Sequence, residues 1–326
     1  MLKKYLIILL FLFAVTLTAC GGSEPEPEEV VSINLPMGYI PDPQYAPYYV
    51  AVEKGYFAEE GIELSFDYSF ETDGVALVGA GERPFAIVAG DQVLLARAQD
   101  LPIVYVMEWF QKFPIALVSK AEAGIETPAD LTGRNLGLPG FFGASYIGYL
   151  GLLSANGIAP EDVNANDIGF TQVESLLTDQ SEVIVGYANN EPVQLDGMGE
   201  EINVLYVADY IDMVANGIIT NEDTIKNNPE LVERFTRALL RGLQDTLENP
   251  EEAYEISKNF VEGLDDSRMP VLEASLDIWK AETLGSSDLA SWENTQNVLL
   301  EAGLLDAPLE DLGAVFTNEF IEKAQP

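Results

Sequence analysis

The chain has 326 residues, a formal net charge of −38, one cysteine and no histidine. Its length provides for two domains, and its negative charge repels the phosphates of nucleic acids, so we expect no nucleic acid partner. The lack of histidine excludes a serine or cysteine nucleophile activated by histidine, and a zinc site built from the usual nitrogen and sulfur ligands. We expect neither a cofactor nor a bound metal.

The N-terminal segment has the pattern of a secretory signal. Two lysines precede an apolar run at residues 5–15, which is shorter than the about 20 residues that cross a bilayer. Leu-Thr-Ala-Cys follows at residues 17–20 and resembles the end of a bacterial lipoprotein signal. The resemblance implies that residues 1–19 are removed and that Cys20 carries a lipid such as palmitate.

The lipid would anchor the protein at the cell membrane, facing outward from the cytoplasm. An uncleaved membrane anchor with an incidental cysteine is the alternative. Residues 20–30 are rich in Glu and Pro, a composition that predicts an extended acidic tether rather than a packed element.

Strand-like and helix-like segments alternate along the rest of the chain, which predicts an α/β fold with parallel strands. Strands are predicted at residues 31–36, 62–70, 85–88, 103–109, 135–138, 167–170, 181–186 and 203–207. The main helices are predicted at residues 45–55, 74–80, 146–156, 174–177, 230–248, 253–260, 269–284 and 289–302, with one more that ends at residue 98.

Two segments are interpreted as crossings between two lobes. The first is residues 113–119, and the second lies near Met213. The predicted domains are therefore 31–118 plus 213–326 for the first lobe, and 119–212 for the second.

The stretch from Gly38 to Leu64 carries a family pattern. A strand and a Pro-containing turn lead into an aromatic helix, and the pattern continues with Ala51, Lys54, Gly55, Tyr56, Phe57, Glu60, Gly61 and Ile62. This pattern resembles the ABC-importer solute-binding proteins for thiamine pyrimidine precursors, taurine, alkanesulfonates and riboflavin. The resemblance implies a two-lobed, type II periplasmic-binding-protein-like fold with a hinge of two crossing segments. It also implies a monomer with an ABC permease as its partner.

Polar and aromatic side chains gather at the ends of predicted strands, where an open α/β fold holds its ligand. If the lobes face each other as in the family, these residues line one cleft. The candidate ligand-binding residues are Tyr39, Asp42, Gln44, Tyr45, Asp91, Gln92, Trp109, Phe141, Phe142, Gly143, Ser145, Tyr187, Asn189, Asn190 and Glu191. Structural roles are open for several of them: helix capping for Asp91, Asn189 and Asn190, and core packing for Trp109 and the two phenylalanines.

The composition of these segments predicts the class of solute. None of the candidate residues at the four strand ends is basic, which argues against sulfonates and other anions. Aromatic rings can stack on a planar ring, while amides and carboxylates can bond its N–H groups and hydroxyls. A small neutral or cationic heteroaromatic solute is favoured.

Three motifs resemble those of the riboflavin-binding members: Asp-Gln-Val-Leu-Leu-Ala-Arg-Ala-Gln at 91–99, Gly-Phe-Phe-Gly-Ala-Ser at 140–145 and Tyr-Ala-Asn-Asn-Glu-Pro at 187–192. Riboflavin is therefore favoured as the transported ligand, ahead of an aminopyrimidine thiamine precursor and well ahead of taurine. We expect no enzyme activity, because the chain lacks the Cys-rich loop and the histidine of the eukaryotic pyrimidine synthases of this fold. An enzyme that uses a carboxylate as its acid or base is the alternative.

Overall fold

The computed structural model describes residues 30–325. The predicted signal peptide at 1–19, the lipidated Cys20 and all but the last residue of the 20–30 tether lie outside the described residues. No helix within 30–325 is both long enough and apolar enough to cross a membrane.

The first part of the chain alternates strands and helices. In order these are β1 (Val31–Gly38), α1 (Ala46–Glu53), α2 (Tyr56–Glu59), β2 (Ile62–Phe70), α3 (Glu71–Gly79), β3 (Ala86–Ala89), α4 (Gly90–Arg97) and β4 (Ile103–Glu108). β1 and β2 pair in parallel as a two-stranded sheet. A later strand, β10 (Asn216–Asn221), lies between β3 and β4 and is antiparallel to both.

The middle of the chain forms a second sheet with its own helices. Its elements are β5 (Ile115–Lys120), β6 (Asn135–Leu138), α5 (Gly143–Ala155), β7 (Asn164–Asp167), α6 (Gln172–Leu177), β8 (Val183–Tyr187), α7 (Glu191–Gly197) and β9 (Ile202–Tyr206). The strand order is β7-β6-β8-β5-β9. β6 runs parallel to its two neighbours and β5 runs antiparallel to its two, so this sheet is mixed.

Helices make up most of the remaining chain. They are α8 (Glu222–Asn227), α9 (Pro229–Glu248), α10 (Pro250–Ser257), α11 (Met269–Trp279), α12 (Leu289–Glu301) and α13 (Glu319–Ala324). The longest, α9, is capped by the Asn228 side chain, which accepts the Leu231 N–H at 3.2 Å. Its apolar face packs on α1, and a Cβ at Gly242 would overlap the Pro47 carbonyl, so glycine permits this close approach.

The predicted parallel pairing is present between β1 and β2 and between β6 and its neighbours, but β5 and β10 run antiparallel to their neighbours, which the sequence did not predict. β10 was not predicted at all. Its sequence, Asn-Gly-Ile-Ile-Thr-Asn, carries three residues of types that are depleted in strands. The strand predicted at residues 167–170 lies instead at Asn164–Asp167, a short polar strand at the sheet edge.

The chain just before the first predicted crossing contacts the chain just after the second. The N–H groups of Trp109 and Phe110 both donate to the Asn216 carbonyl at 3.0 Å. The division into lobes after residues 118 and 212 stays a prediction. Since β5 pairs with β8 and β9, we propose that the first boundary falls before Ile115.

Candidate functional site

A cavity of about 460 Å³ lies between the strand ends of the first part of the chain and those of the five-stranded sheet. Its lining is mostly apolar and aromatic, with amide, hydroxyl and carboxyl groups among the rings. The lining residues are Met37, Gly38, Tyr39, Gln44, Tyr45, Phe70, Glu71, Thr72, Ile87, Gln92, Trp109, Phe110, Pro139, Phe142, Gly143, Ala144, Ser145, Phe170, Gln172, Tyr187, Asn190, Glu191 and Asn216. None of these residues is basic.

One wall of the cavity is built from stacked aromatic rings, and we call it the aromatic wall, Tyr45 and Trp109. The two rings stack with centroids 5.3 Å apart, and Tyr48 meets the Trp109 ring edge-on at 5.1 Å. The Tyr45 hydroxyl donates to the Met37 carbonyl at 2.8 Å. Both members of the wall are almost fully buried, so their orientation is set by packing before any ligand arrives.

The local chain path explains why Tyr45 faces the cavity. Asp42 opens a short turn over Pro43–Tyr45 and accepts the Gln44 N–H at 3.0 Å. α1 then starts at Ala46, with Pro47 in its first turn where a missing N–H does no harm. The turn therefore places Tyr45 directly before α1, at the junction between strand and helix.

A second part of the lining is held by hydrogen bonds, and we call it the polar wall, Glu71, Asn216 and Tyr187. The Tyr187 hydroxyl donates to Asn216 Oδ1 at 3.3 Å, and Asn216 Nδ2 donates to Glu71 Oε1 at 2.9 Å. The other oxygen of Glu71 accepts the Ala89 N–H at 3.2 Å. This series of hydrogen bonds joins the end of β8 in the five-stranded sheet to β10 and the start of α3.

Glu191 fixes the end of β8 beside the polar wall. Its carboxylate accepts the Tyr187 N–H at 2.7 Å. A Cβ at position 186 would overlap that carboxylate, so Gly186 gives Glu191 the room to fold back over the strand end. The arrangement holds both Tyr187 and Glu191 at the cavity surface.

Burial shifts the ionisation of the carboxyl groups at this site. It raises the pKa of Glu71 to about 8, that of Glu191 to about 7 and that of Asp91 to about 6, because a charged carboxylate loses its hydration inside the protein. The Tyr187 N–H opposes the rise in the pKa of Glu191, and the Ala89 N–H opposes it for Glu71. Near neutral pH the cavity carries less negative charge than its composition suggests.

A basic residue that the sequence reasoning missed lies behind the lining. Arg268, just before α11, donates to Asp42 Oδ2 at 2.5 Å and to Asn190 Oδ1 at 3.4 Å. It is far from both partners in sequence, so no strand-end segment revealed it. Its charge is paired with Asp42, which leaves the cavity surface itself without a cation.

Most of the sequence-predicted site residues meet at this cavity. Those in the lining are Tyr39, Gln44, Tyr45, Gln92, Trp109, Phe142, Gly143, Ser145, Tyr187, Asn190 and Glu191. Their contact with a ligand stays a prediction.

The other predicted residues, Asp42, Asp91, Phe141 and Asn189, lie outside the lining. Asp42 is paired with Arg268, and Asp91 is buried and accepts from the Gln92 side chain at 2.8 Å. Asn189 is fully buried and donates to Ser275 Oγ at 2.8 Å. Phe141 is half exposed and meets the edge of Tyr146. Asp42 and Asp91 thus bond Gln44 and Gln92, which line the cavity, whereas the contacts of Asn189 and Phe141 are with residues outside the lining.

Several lining residues were missed by the sequence reasoning, notably Glu71, Asn216, Phe70 and Phe170. Glu71 directly follows β2, but the helix prediction began at Gly74 and so hid this strand end. Asn216 opens the strand that was not predicted. A search for polar residues after every strand, including short ones, would have found Glu71.

Comparison with solved structures identifies the fold. The aliphatic sulphonate binding protein SsuA from Escherichia coli matches with a TM-score of 0.73 at 12% identity, over 89% of this chain and 99% of that one. The molecule thus has the two-lobed periplasmic-binding-protein fold that the sequence predicted, with its cavity between strand ends.

Comparison with protein families places the chain more narrowly. The family model described as NMT1/THI5 like matches residues 42–253, and the chain belongs to this family. It is 42% identical to the riboflavin-binding protein RibY of Chloroflexus aurantiacus, over 98% of this chain and 99% of the relative. It is 29% identical to the formylaminopyrimidine-binding protein of Halalkalibacterium halodurans, over 94% of this chain and 97% of the relative. The resemblance stated from Gly38–Leu64 is confirmed.

Proposed function

We propose that this protein is the solute-binding component of an ABC importer, that it captures riboflavin in the cavity, and that it delivers riboflavin to a membrane permease. The observation that carries the proposal is a cavity of about 460 Å³ whose lining combines the packed aromatic wall, Tyr45 and Trp109, with a group of hydrogen-bonding side chains. The 42% identity to a protein named for riboflavin binding, over nearly the whole of both chains, supports the same ligand.

The cavity suits the two chemical parts of riboflavin. Its volume of about 460 Å³ falls within the roughly 300–1,000 Å³ typical of small-molecule sites. The planar isoalloxazine ring would stack against aromatic side chains, and the ribityl hydroxyls would bond amides such as Gln44, Gln92 and Asn190. Phe70, Phe142 and Phe170 line the cavity yet stay largely exposed, so a bound ring would remove apolar surface from water.

The charge of the cavity favours a neutral solute over an anion. Glu71 and Glu191 line it, no lining residue is basic, and Arg268 is paired with Asp42 behind it. An unpaired phosphate or sulfonate would enter without a cation to bind it. We therefore expect flavin mononucleotide, which adds a phosphate to riboflavin, to bind more weakly than riboflavin by at least tenfold.

A thiamine pyrimidine precursor is the second candidate ligand. The 29% identity to the formylaminopyrimidine-binding protein supports it. A single pyrimidine ring would occupy less of the cavity than isoalloxazine and would leave apolar surface of the three exposed phenylalanines in water.

Calorimetric titration of the purified protein decides between these ligands. The series is riboflavin, lumichrome, flavin mononucleotide, formylaminopyrimidine, thiamine and taurine. We expect riboflavin to bind most tightly, and lumichrome, which keeps the rings but lacks the ribityl chain, to bind more weakly. No heat with riboflavin alongside tight binding of the pyrimidine would replace the proposal with the second candidate. Recovery of chemically altered riboflavin after long incubation would favour an enzyme.

The anchoring at Cys20 belongs to the same proposal. An outward-facing receptor must stay near its permease, and a lipid on Cys20 would hold it there through the acidic tether at 20–30. Mass spectrometry of the mature protein is expected to show a lipidated N-terminal Cys20. The variant Cys20→Ser is expected to leave the membrane fraction. If the variant fractionates as the wild type does and the mature wild-type protein carries no lipid at its N-terminus, the proposal of a lipid anchor is wrong.

A further inference from the structure

Glu71 is an ionisable residue that lines the cavity at the start of α3. It is the first residue of α3, directly after β2, and it borders the cavity between Phe70 and Thr72. The residue is half-buried and lines the cavity. Two donors fix the carboxyl group, the Ala89 N–H on one oxygen and Asn216 Nδ2 on the other.

We propose, on the basis of the proposed solute-binding function, that Glu71 is a specificity-determining residue that binds the solute as an uncharged carboxylic acid. It donates its proton to a ring carbonyl or ring nitrogen of a neutral heteroaromatic solute. The polar wall, Glu71, Asn216 and Tyr187, orients this donor.

Within residues 30–325, no cation is among the groups that shift the pKa of Glu71. The titratable groups that face it are Asp91 from α4, Tyr45 from the aromatic wall, Tyr105 from β4 and Tyr187 from β8. Burial first, and the Asp91 charge second, raise the pKa of Glu71 to about 8. At neutral pH the group therefore keeps its proton.

The hydrogen-bond partners of the carboxyl group cannot accept its proton. The Ala89 N–H donates to one carboxyl oxygen and Asn216 Nδ2 donates to the other. Glu71 also lines the cavity, where a solute can offer an acceptor. Carbonyl oxygens and imine nitrogens of a heteroaromatic ring are hydrogen-bond acceptors. They can accept a hydrogen bond from the protonated acid, whereas an ionised carboxylate has no proton to donate to them.

The proposal predicts how affinity changes with pH. Binding requires the protonated form, which is complete well below pH 8 and is lost as pH rises through the pKa of about 8. Riboflavin affinity of the wild-type protein is expected to be constant from pH 6 to 7.5. It should then fall toward a limit of about tenfold for each further pH unit.

Glu71→Gln is the matched variant, since an amide is always neutral and keeps one donor and one acceptor. We expect Glu71→Gln to bind riboflavin about two- to fivefold more weakly than wild type at pH 6.5 and to show a flat profile up to pH 9. Any pH dependence that belongs to riboflavin itself would appear in this variant too. Glu71→Leu, which has no donor, is expected to lose about 10- to 100-fold at pH 6.5.

Glu191→Gln separates the two lining carboxyl groups. The pKa of Glu191 is raised only to about 7, and Glu191 faces Asp42 and Arg268. The fall in affinity above pH 8 should therefore persist in Glu191→Gln. Circular dichroism of each variant confirms folding.

Three results would overturn the role of Glu71: a flat wild-type profile up to pH 9, a loss of more than 50-fold in Glu71→Gln at pH 6.5, or wild-type affinity in Glu71→Leu. The proposed riboflavin binding fails separately, if the wild-type protein does not bind riboflavin at pH 6.5. The same pH series is then run with formylaminopyrimidine, and absence of binding to both solutes overturns both proposals.

Discussion

The aromatic wall, Tyr45 and Trp109, holds its side chains by ring packing, whereas the polar wall, Glu71, Asn216 and Tyr187, holds them by hydrogen bonds. The aromatic wall contains no group that titrates near neutral pH, and the polar wall contains Glu71 with a pKa of about 8. Under the proposed function, the first wall would supply contact area that does not depend on pH. The second would supply selectivity for hydrogen-bonding pattern and charge, and its contribution would change with pH.

Removing the centre of the aromatic wall is expected to have the largest effect. Trp109 is 2% exposed and touches the rings of Tyr45, Tyr48, Phe110 and Trp279. Trp109→Ala should lower the free energy of unfolding by about 3–5 kcal/mol, because it leaves a large cavity in a packed cluster. Urea denaturation measures this loss.

Trp109→Phe is the matched control, because it keeps a ring in the cluster. It should lose clearly less stability than Trp109→Ala. Equal losses in the two variants would show that the indole is not held by ring packing.

Truncating Tyr187 should have the next largest effect, and on binding rather than on folding. Its ring lines the cavity, and its hydroxyl is the outer end of the polar wall. Tyr187→Ala should weaken riboflavin binding by about 1–3 kcal/mol if the ring stacks on the ligand. Titration calorimetry at pH 6.5 measures the change.

Tyr187→Phe keeps the ring but removes the hydroxyl bond to Asn216. It therefore separates stacking from the orientation of the polar wall. We expect it to retain most of the affinity, and a loss as large as that of Tyr187→Ala would assign the effect to the hydrogen bond instead.

The two walls also differ in how well the sequence predicted them. The aromatic wall was predicted residue by residue, because Tyr45 and Trp109 each sit at the end of a recognisable strand or in the turn that follows it. In the polar wall only Tyr187 was predicted. Asn216 lies in a strand whose composition is untypical of strands, so the strand was not predicted. Glu71 begins a helix whose start was predicted three residues too late, at Gly74.

Local sequence patterns did not predict residues whose contacts are with partners far away in the chain. Arg268 reaches Asp42 across more than two hundred positions of the chain, and the sequence gives no local sign of that ion pair. The class of fold was predictable, since the alternation of strands and helices and the Gly38–Leu64 pattern are both local. The antiparallel placement of β5 and β10 was not, because strand direction is decided by pairing between segments far apart in sequence.

The carboxyl groups of the cavity should make stability fall with rising pH. The pKa values of Glu71 and Glu191 are raised from 4.5 to about 8 and about 7 in the folded protein, so the folded state binds more protons than the unfolded state between these limits. Their contribution to stability is complete below pH 4.5 and is lost as pH rises through 7 and 8. Urea denaturation at pH 5, 6.5 and 8 should show decreasing stability.

Variants test whether this slope comes from the cavity. Glu71→Gln should reduce the slope, because it removes the group with the larger shift. Glu182→Gln is the control, since the Asn135 N–H and Arg134 lower the pKa of Glu182 and take it out of this pH window. A slope that is the same in wild type and Glu71→Gln would assign the effect to other buried carboxyl groups, such as Glu108, whose pKa burial also raises to about 8.

The smallest expected effect distinguishes two neighbouring phenylalanines at the cavity mouth. Phe142 lines the cavity and is 62% exposed, whereas Phe141 is 50% exposed, lies outside the lining and contacts Tyr146. A bound ring would cover part of Phe142, and partial burial of such a side chain contributes about 1 kcal/mol. Phe142→Ser should therefore weaken riboflavin binding by about that amount, and Phe141→Ser should leave it unchanged. Because the two residues are adjacent and both are exposed, a general effect on the loop would appear in both variants, and equal losses would show that the mouth of the cavity adds no contact of its own to the two walls.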